Sequence, residues 1–304
     1  MKLVMTLAVG DDAELVDAQI AYHANAGVDV VLASVEDPTA DTRAILEQYV
    51  RAGCLQLRGG DSPTQLARLA ASDHGADWVI SSEPGEFWWP RAESLKETLV
   101  AIPPRYTIVQ ALIRDFLPHA GDEFFAERMT VRRSLQSGTT TGAPAELLKR
   151  AHRSDPEVVV EPGGWISGPR DVPLRAWYPF EVFRFPAARA GVDDDAFARG
   201  LPDGSLVSDT RLRDALAQLR IASAGDSDGR FALPENGVSR LALRSPDIVD
   251  DAAYAVECAA VGEVDVALLE SHIEDLEGRI AWLEQRFWPR VLRRLSRIGR
   301  RTGP

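Results

Sequence analysis

Cysteine, long apolar runs and basic residues are all scarce in this chain of 304 residues, and each scarcity excludes a class of protein. The two cysteines, Cys54 and Cys258, lie far apart in sequence, which excludes a disulfide-rich scaffold and favours a cytoplasmic protein. No run of 18 apolar residues occurs, so we expect no transmembrane helix. Acidic residues outnumber basic ones by 46 to 34, and phosphate contacts need a basic face, so we expect no nucleic-acid partner.

Apolar residues follow strand and helix periods in alternation through the first part of the chain. Strands are predicted at 2–9, 28–33, 54–57 and 78–82, and helices at 12–25, 39–52 and 63–74. This alternation predicts an α/β fold, Rossmann-like, with a mostly parallel sheet flanked by helices. Residues 119–175 are rich in Gly, Pro, Thr and Arg and are predicted to be loops.

The segment 78–90 carries the strongest functional signal. A short apolar run ends in small polar residues, Glu83 and Glu86 follow, and the aromatic residues Phe87, Trp88 and Trp89 close the segment. A buried strand of this kind delivers carboxylates to its carboxyl end, where open α/β sheets bind their ligands.

This segment resembles the acidic segment of bacterial family 2 glycosyltransferases of the GT-A fold, where the run is usually Asn-Asn-Asp-Ala-Asp-Glu-Phe-Trp. Further similar runs lie at 23–29, 71–79 and 149–153, so the resemblance extends over about residues 2–220. It implies a GT-A-like domain over 1–245 that moves a sugar from a nucleotide-sugar donor to a glycan or lipid acceptor.

Three donor-site positions depart from the family's pattern. Val35 stands where the family has an aspartate for the uridine, Gly85 where it has the second metal-binding aspartate, and Arg184 where many relatives have a metal-binding histidine. Glu83 is then the one remaining metal ligand, and an arginine repels a cation by about 4 kcal/mol at 4 Å and intermediate dielectric. Binding of Mg²⁺ or Mn²⁺ is therefore expected to be weak or absent.

The departures leave three interpretations open. Arg184 can pair with the donor diphosphate in place of a metal, which would permit metal-independent transfer. Alternatively, Glu83 and Arg184 form a salt bridge across an empty donor site, and the protein is a catalytically inactive binding or scaffold relative. Weakened metal-dependent catalysis is the third interpretation. The first two predict that Glu83 and Arg184 face each other.

The resemblance also assigns the remaining site candidates. Glu86 is the candidate catalytic residue, placing the acceptor or acting near the base, unless it is a carboxylate at a helix N-terminus. Trp88 and Trp89 either stack on a sugar or pack beneath the sheet end. Candidates for donor and phosphate binding are Asp12, Glu36, Asp41, Glu83, His152, Arg153 and Arg184.

The C-terminal part of the chain has a different pattern. A heptad seam at Leu269, Ile273, Leu276, Ile280, Leu283 and Phe287 predicts a coiled-coil-like helical extension over 246–287, which would form a homodimer or fold back on the body. The tail 288–304 is arginine-rich and amphipathic. It suits attachment to an anionic membrane surface at the inner leaflet, or it is a solvated basic end.

Overall fold

A curled central sheet flanked by helices organises the part of the chain that the computed structural model describes. That part comprises residues 1–9, 13–91, 94–119, 121–133, 148–161, 164–168, 172–174, 179–186, 206–220, 231–234, 239, 241 and 243. All of it falls within the predicted first domain, 1–245. The predicted helical extension and basic tail lie outside the described residues, and the coiled coil, the dimer and membrane attachment stay predictions.

Among the described residues, six helices and thirteen strands alternate early and then give way to strands. The helices are α1 (Ala13–Asn25), α2 (Ala40–Arg51), α3 (Pro63–Ser72), α4 (Leu95–Val100), α5 (Phe125–Arg128) and α6 (Arg211–Leu219). The strands are β1 (Leu3–Ala8), β2 (Val30–Val35), β3 (Leu55–Gly59), β4 (Trp78–Ser82), β5 (Glu86–Pro90), β6 (Ile108–Asp115), β7 (Val131–Arg133), β8 (Leu148–Arg153), β9 (Val159–Val160), β10 (Ile166–Ser167), β11 (Pro173–Leu174), β12 (Phe180–Arg184) and β13 (Leu206–Ser208).

The central sheet is mixed, not uniformly parallel. Its order is β3-β2-β1-β4-β8-β6-β12-β5, with β11 beside β6. Strands β3, β2, β1 and β4 are parallel, whereas β8 is antiparallel to both of its neighbours and β5 is antiparallel to β12. Three residues join β4 to β5, yet the two strands lie at different places in the sheet, so the sheet must curl to bring them together.

Local sequence explains the early helices. The side chain of Thr39 accepts a hydrogen bond from Thr42 N at the start of α2. Ser62 and Gln65 form a capping box at the start of α3, where Pro63 takes the first helical position because its missing N–H costs no hydrogen bond there. Nearly all of α1 is buried, since it lies between the sheet and α2.

A buried ionic network ties the second half of the sheet to α6. The Nε of Arg114 lies 2.6 Å from Oε1 of Glu181, and Arg211 contacts the other carboxylate oxygen at 2.5 Å. Burial alone would raise the pKa of Glu181, but the two arginines outweigh it and hold the pKa at about 2. Arg211 also contacts Asp209 at 2.7 Å, so the network fixes α6 against β12.

The 119–175 segment is where the prediction of loops is wrong. It contains β8, a central strand hydrogen-bonded on both sides, as well as α5, β7, β9, β10 and β11. No helix in the described part of the chain has the length and apolar character needed to span a bilayer.

Candidate functional site

A small cleft opens at the carboxyl ends of β1, β2 and β4. Its floor is formed by the ends of these strands, including Thr6, Ser34 and Ser81, and Thr6 Oγ1 donates a hydrogen bond to Ser81 Oγ at 3.1 Å. Glu83 and Lys149 line it as well. The carboxyl edge of a parallel sheet is where ligands of open α/β folds bind, so this cleft is the candidate site.

A glutamine from α1 shapes the acidic turn that follows β4. Gln19 Nε2 donates to the carbonyl oxygens of Glu83 at 2.8 Å and Glu86 at 2.9 Å, and it lies 3.1 Å from Ser82 Oγ. Gln19 Oε1 accepts from Gly85 N at 3.2 Å. Sequence patterns did not reveal this role, because Gln19 lies on a helix 63 residues or more before the turn it organises.

Gly85 has no room for a side chain, and this decides whether a metal fits. Its φ is +80°, a value that favours glycine, and a Cβ would overlap the carbonyl oxygen of Phe185. Phe185 N also donates to Gly85 O at 2.9 Å, which fixes the close approach. An aspartate at this position could not be built on the same backbone, so the second carboxylate of a metal-binding pair has no place here.

The acidic turn therefore offers Mg²⁺ or Mn²⁺ no carboxylate at position 85. No group of three or more His, Cys, Asp or Glu side chains within the described ranges is arranged to hold a metal ion. The carboxylate that remains, Glu83, already faces a cation of the protein.

That cation is Lys149, which the sequence analysis left out of the site. Its Nζ lies 3.0 Å from Oε1 of Glu86 and 3.3 Å from Oε1 of Glu83. The side chains of Lys149 and Glu86 are each 1% exposed, whereas that of Glu83 is 50% exposed. Burial raises the pKa of Glu86, although the charge of Lys149 and the hydrogen bond from Glu83 N oppose the shift.

Glu86 supports the acidic turn from beneath the cleft. Its Oε2 accepts a hydrogen bond from Glu83 N at 2.8 Å, and the residue is fully buried. The carboxylate that faces the cleft is that of Glu83. The Glu86 side chain has almost no exposed surface, so the structure gives no support to the prediction that it acts on an acceptor. The alternative, a carboxylate at a helix N-terminus, does not apply either, because Glu86 begins strand β5.

The loop between β9 and β10 covers Lys149. A Cβ on Gly164 would lie 2.8 Å from Cδ and 3.0 Å from Nζ of Lys149, so a larger residue would displace the end of this side chain. The neighbouring Trp165 packs under the guanidinium of Arg150, whose Cζ lies 3.3 Å from the ring centre. Arg150 also donates to Ile166 O at 3.2 Å, which holds the loop against β8.

Arg184 does not pair with Glu83, which corrects the predicted salt bridge across the donor site. Its Nε lies 2.5 Å from Oδ1 of Asp115, the neighbouring position on β6. Arg184 is nevertheless the cross-strand partner of Glu86, and the charges of Glu86 and Glu83 help Asp115 to raise its pKa against the effect of burial. Arg184 is thus a second, half-exposed cation near the acidic turn.

His152 and Arg153 lie at the opposite edge of the sheet from this cleft, so their predicted contact with phosphate has no support from the cleft's geometry. Strand β8 runs against β4, and Arg153 is therefore level with Trp78, the first residue of β4. Its guanidinium donates to the carbonyl oxygens of Tyr106 and Ile102 at 2.9 and 3.1 Å. These contacts anchor backbone and give Arg153 a structural role.

Trp88 and Trp89 are core residues, so the packing alternative replaces the prediction of sugar stacking. They are 0% and 5% exposed. Trp88 N donates to Nε2 of His23 at 3.2 Å, and the Trp89 ring stacks on Phe183 with centroids 5.3 Å apart. Neither ring presents a face to a ligand.

Two of the remaining acidic candidates are not in the cleft. Glu36 and Asp41 are exposed at the end of β2 and in the first turn of α2, and neither lines it. Asp12 lies outside the described residues. Two acidic residues that the sequence analysis did not select, Asp61 and Glu161, line the cleft instead. Both belong to loops whose position depends on the tertiary fold.

No protein-family model and no curated protein sequence matches this chain. Similar solved structures include residues 1–349 of Staphylococcus aureus TarS, 12% identical with a TM-score of 0.38, and the same protein in complex with UDP, 11% identical with a TM-score of 0.38. In both cases the alignment covers 60% of this chain and 60% of the other, so this chain spans less than two thirds of their length. A mannose-1-phosphate geranyltransferase from Thermus thermophilus is 16% identical, with a TM-score of 0.27 over 44% of this chain and 48% of that one.

Proposed function

We propose that the protein binds a nucleotide-sugar in the cleft and transfers the sugar to a glycan or lipid acceptor. The observation that carries the proposal is the pairing of a half-exposed carboxylate, Glu83, with a buried cation, Lys149, at the carboxyl ends of parallel strands. The sequence resemblance to family 2 glycosyltransferases supports it, because it places the donor at this same acidic turn.

The reaction needs a proton acceptor and a way to neutralise the leaving group. The acceptor's hydroxyl oxygen forms a bond to the anomeric carbon, and the bond between that carbon and the diphosphate oxygen breaks, leaving its electron pair on the nucleoside diphosphate. The hydroxyl proton passes to a carboxylate. Glu83 suits this role, because its carboxylate is exposed to the cleft, whereas Glu86 is buried beneath it.

We propose further that no divalent ion takes part. Two observations support this. A side chain at position 85 would collide with Phe185 O, and Glu83 already contacts the ammonium group of Lys149. Charge on the leaving diphosphate must then be neutralised by side chains of the protein.

The test is a titration of the full chain with UDP-, GDP-, CDP- and dTDP-sugars by calorimetry, followed by assay of nucleoside diphosphate release with glycan and lipid acceptors. We expect one nucleotide class to bind and to be released in an acceptor-dependent manner. Absence of binding by every nucleotide-sugar, with and without Mn²⁺, would refute the proposal.

A binding or scaffold protein that has lost donor chemistry is the second candidate. It is favoured by the contact of Glu83 with Lys149, which lowers the availability of the carboxylate for proton transfer. Binding of a nucleotide-sugar without release of its diphosphate, across all acceptors, would favour this candidate over the transferase.

A further inference from the structure

Lys149 is a buried ammonium group with three donors, and the described residues place two carboxylate oxygens near it. Its side chain is 1% exposed, yet within the described residues its Nζ makes no hydrogen bond of good geometry. Burying a charged donor is costly unless its N–H groups are satisfied, so a further acceptor oxygen would stabilise this site.

A further acceptor can reach Lys149 from the cleft. Lys149 lines the cleft, because β8 runs antiparallel to β4 and its first residues reach the carboxyl edge of the sheet. Gly164 lies over the lysine and offers no side chain that could satisfy it. A ligand in the cleft can thus supply further oxygen atoms to Nζ.

We propose that Lys149 is a built-in cation that binds the diphosphate of a nucleoside diphosphate or nucleotide-sugar and takes the place of a divalent ion. This inference rests on the proposed function and deepens it, since it names the group that neutralises the leaving diphosphate. An ammonium group is a compact point charge with three donors, which suits the oxygens of adjacent phosphates.

The acidic residues that line the cleft oppose the binding of an anion. Asp61, Glu83 and Glu161 line it together with Lys149, so an anionic ligand meets repulsion unless a carboxylate moves away. Glu83 can do so, because half of its side chain is exposed, and Lys149 would keep Glu86 as its partner. Diphosphate binding and the contact of Glu83 with Lys149 therefore compete.

The first test measures UDP and GDP binding to the wild type and to Lys149→Met, in EDTA and in Mn²⁺. We expect the wild type to bind one of these nucleotides equally well in both conditions, and Lys149→Met to bind it about 10- to 100-fold more weakly. Lys96→Met is the matched control, since Lys96 pairs with Asp29 at 2.6 Å and does not line the cleft, and it should bind as the wild type does.

A second variant should change nucleotide affinity in the opposite direction. Glu83→Gln removes a competitor for Lys149 and a source of repulsion, so it should strengthen nucleotide binding about 2- to 5-fold. If Glu83 were a metal ligand, the same variant would weaken binding and would do so only in Mn²⁺. A weaker, Mn²⁺-dependent Glu83→Gln protein thus overturns the inference.

Two further variants test whether a loss of binding results from misfolding. Glu86→Gln combined with Lys149→Met removes both buried charges and should keep the fold, as checked by circular dichroism. Gly164→Ala keeps the charge of Lys149 but displaces its side chain, and should also weaken binding; normal binding by both variants would contradict the proposal. If the wild type binds nucleotide only with Mn²⁺, the inference and the proposed exclusion of a divalent ion both fail, while the proposed sugar transfer stands. No binding under either condition refutes all of them.

Discussion

Replacing Gly85 by alanine tests the structural basis for excluding a metal. The substitution places a Cβ at φ +80°, which costs about 1 kcal/mol for a residue other than glycine. It also forces the Cβ against Phe185 O and disturbs the hydrogen bond from Phe185 N to Gly85 O, which adds about 2 kcal/mol or more. We therefore expect Gly85→Ala to lower the free energy of unfolding by about 3 kcal/mol or more.

Gly53→Ala is the control that separates the two costs. Gly53 has a similar φ of +76°, but no heavy atom lies within 4 Å of a Cβ built there. It should lose about 1 kcal/mol, so the difference between the two variants isolates the collision with Phe185. Urea unfolding followed by circular dichroism gives both values. Equal losses, or a Gly85→Asp protein that folds normally and gains Mn²⁺-dependent nucleotide binding, would refute the steric argument.

Two further predictions concern buried charges. Burial lowers the pKa of His23 from 6.5 to about 4, despite the opposing contact with Gln19 O, so the fold favours its neutral form. His23 should therefore contribute about 3 kcal/mol to the loss of stability between pH 6.5 and 4. In urea titrations at several pH values, His23→Gln should reduce that loss by about this amount. Glu181→Gln removes the carboxylate that Arg114 and Arg211 both contact, and should cost about 3 kcal/mol at pH 7. Because the pKa of Glu181 is about 2 in the fold, this difference should shrink as pH falls below about 4.5, and a constant difference down to about pH 2.5 would argue against the network.

The first half of the fold was predictable from sequence because its signals are local. Strand β4 has the bounds that its apolar run predicts, and the glycines at 27 and 53 end helices with positive φ. The exposed end of the acidic turn, Glu83, was likewise expected at the carboxyl edge of the sheet, where the structure has it. Each of these features depends on residues close together in the chain.

Strand β8 was not predictable in the same way. Its residues, Leu-Lys-Arg-Ala-His-Arg, show neither apolar alternation nor an apolar run, yet five of the six are buried. The strand is stabilised by ladders to β4 and β6, and its polar side chains find partners on distant segments. Trp88 and Trp89 were ambiguous for a related reason: β5 is buried on both faces, so its pattern resembles an aromatic platform as much as a core strand.

The direction of β8 also decides which of its basic residues can act on a ligand. Lys149 and His152 are three residues apart, about 10 Å along a strand, so they reach different edges of the sheet. His152 lines a separate cavity, its Nδ1 donates to Arg153 O at 2.9 Å, and burial lowers its pKa to about 4 despite that contact. His152→Gln should therefore leave UDP or GDP affinity within about 2-fold of the wild type and reduce the loss of stability between pH 6.5 and 4 by about 3 kcal/mol. Calorimetry and urea unfolding at neutral pH and near pH 4 measure the two effects, and a loss of nucleotide affinity in this variant would mean that the strand presents His152, not Lys149, to the donor.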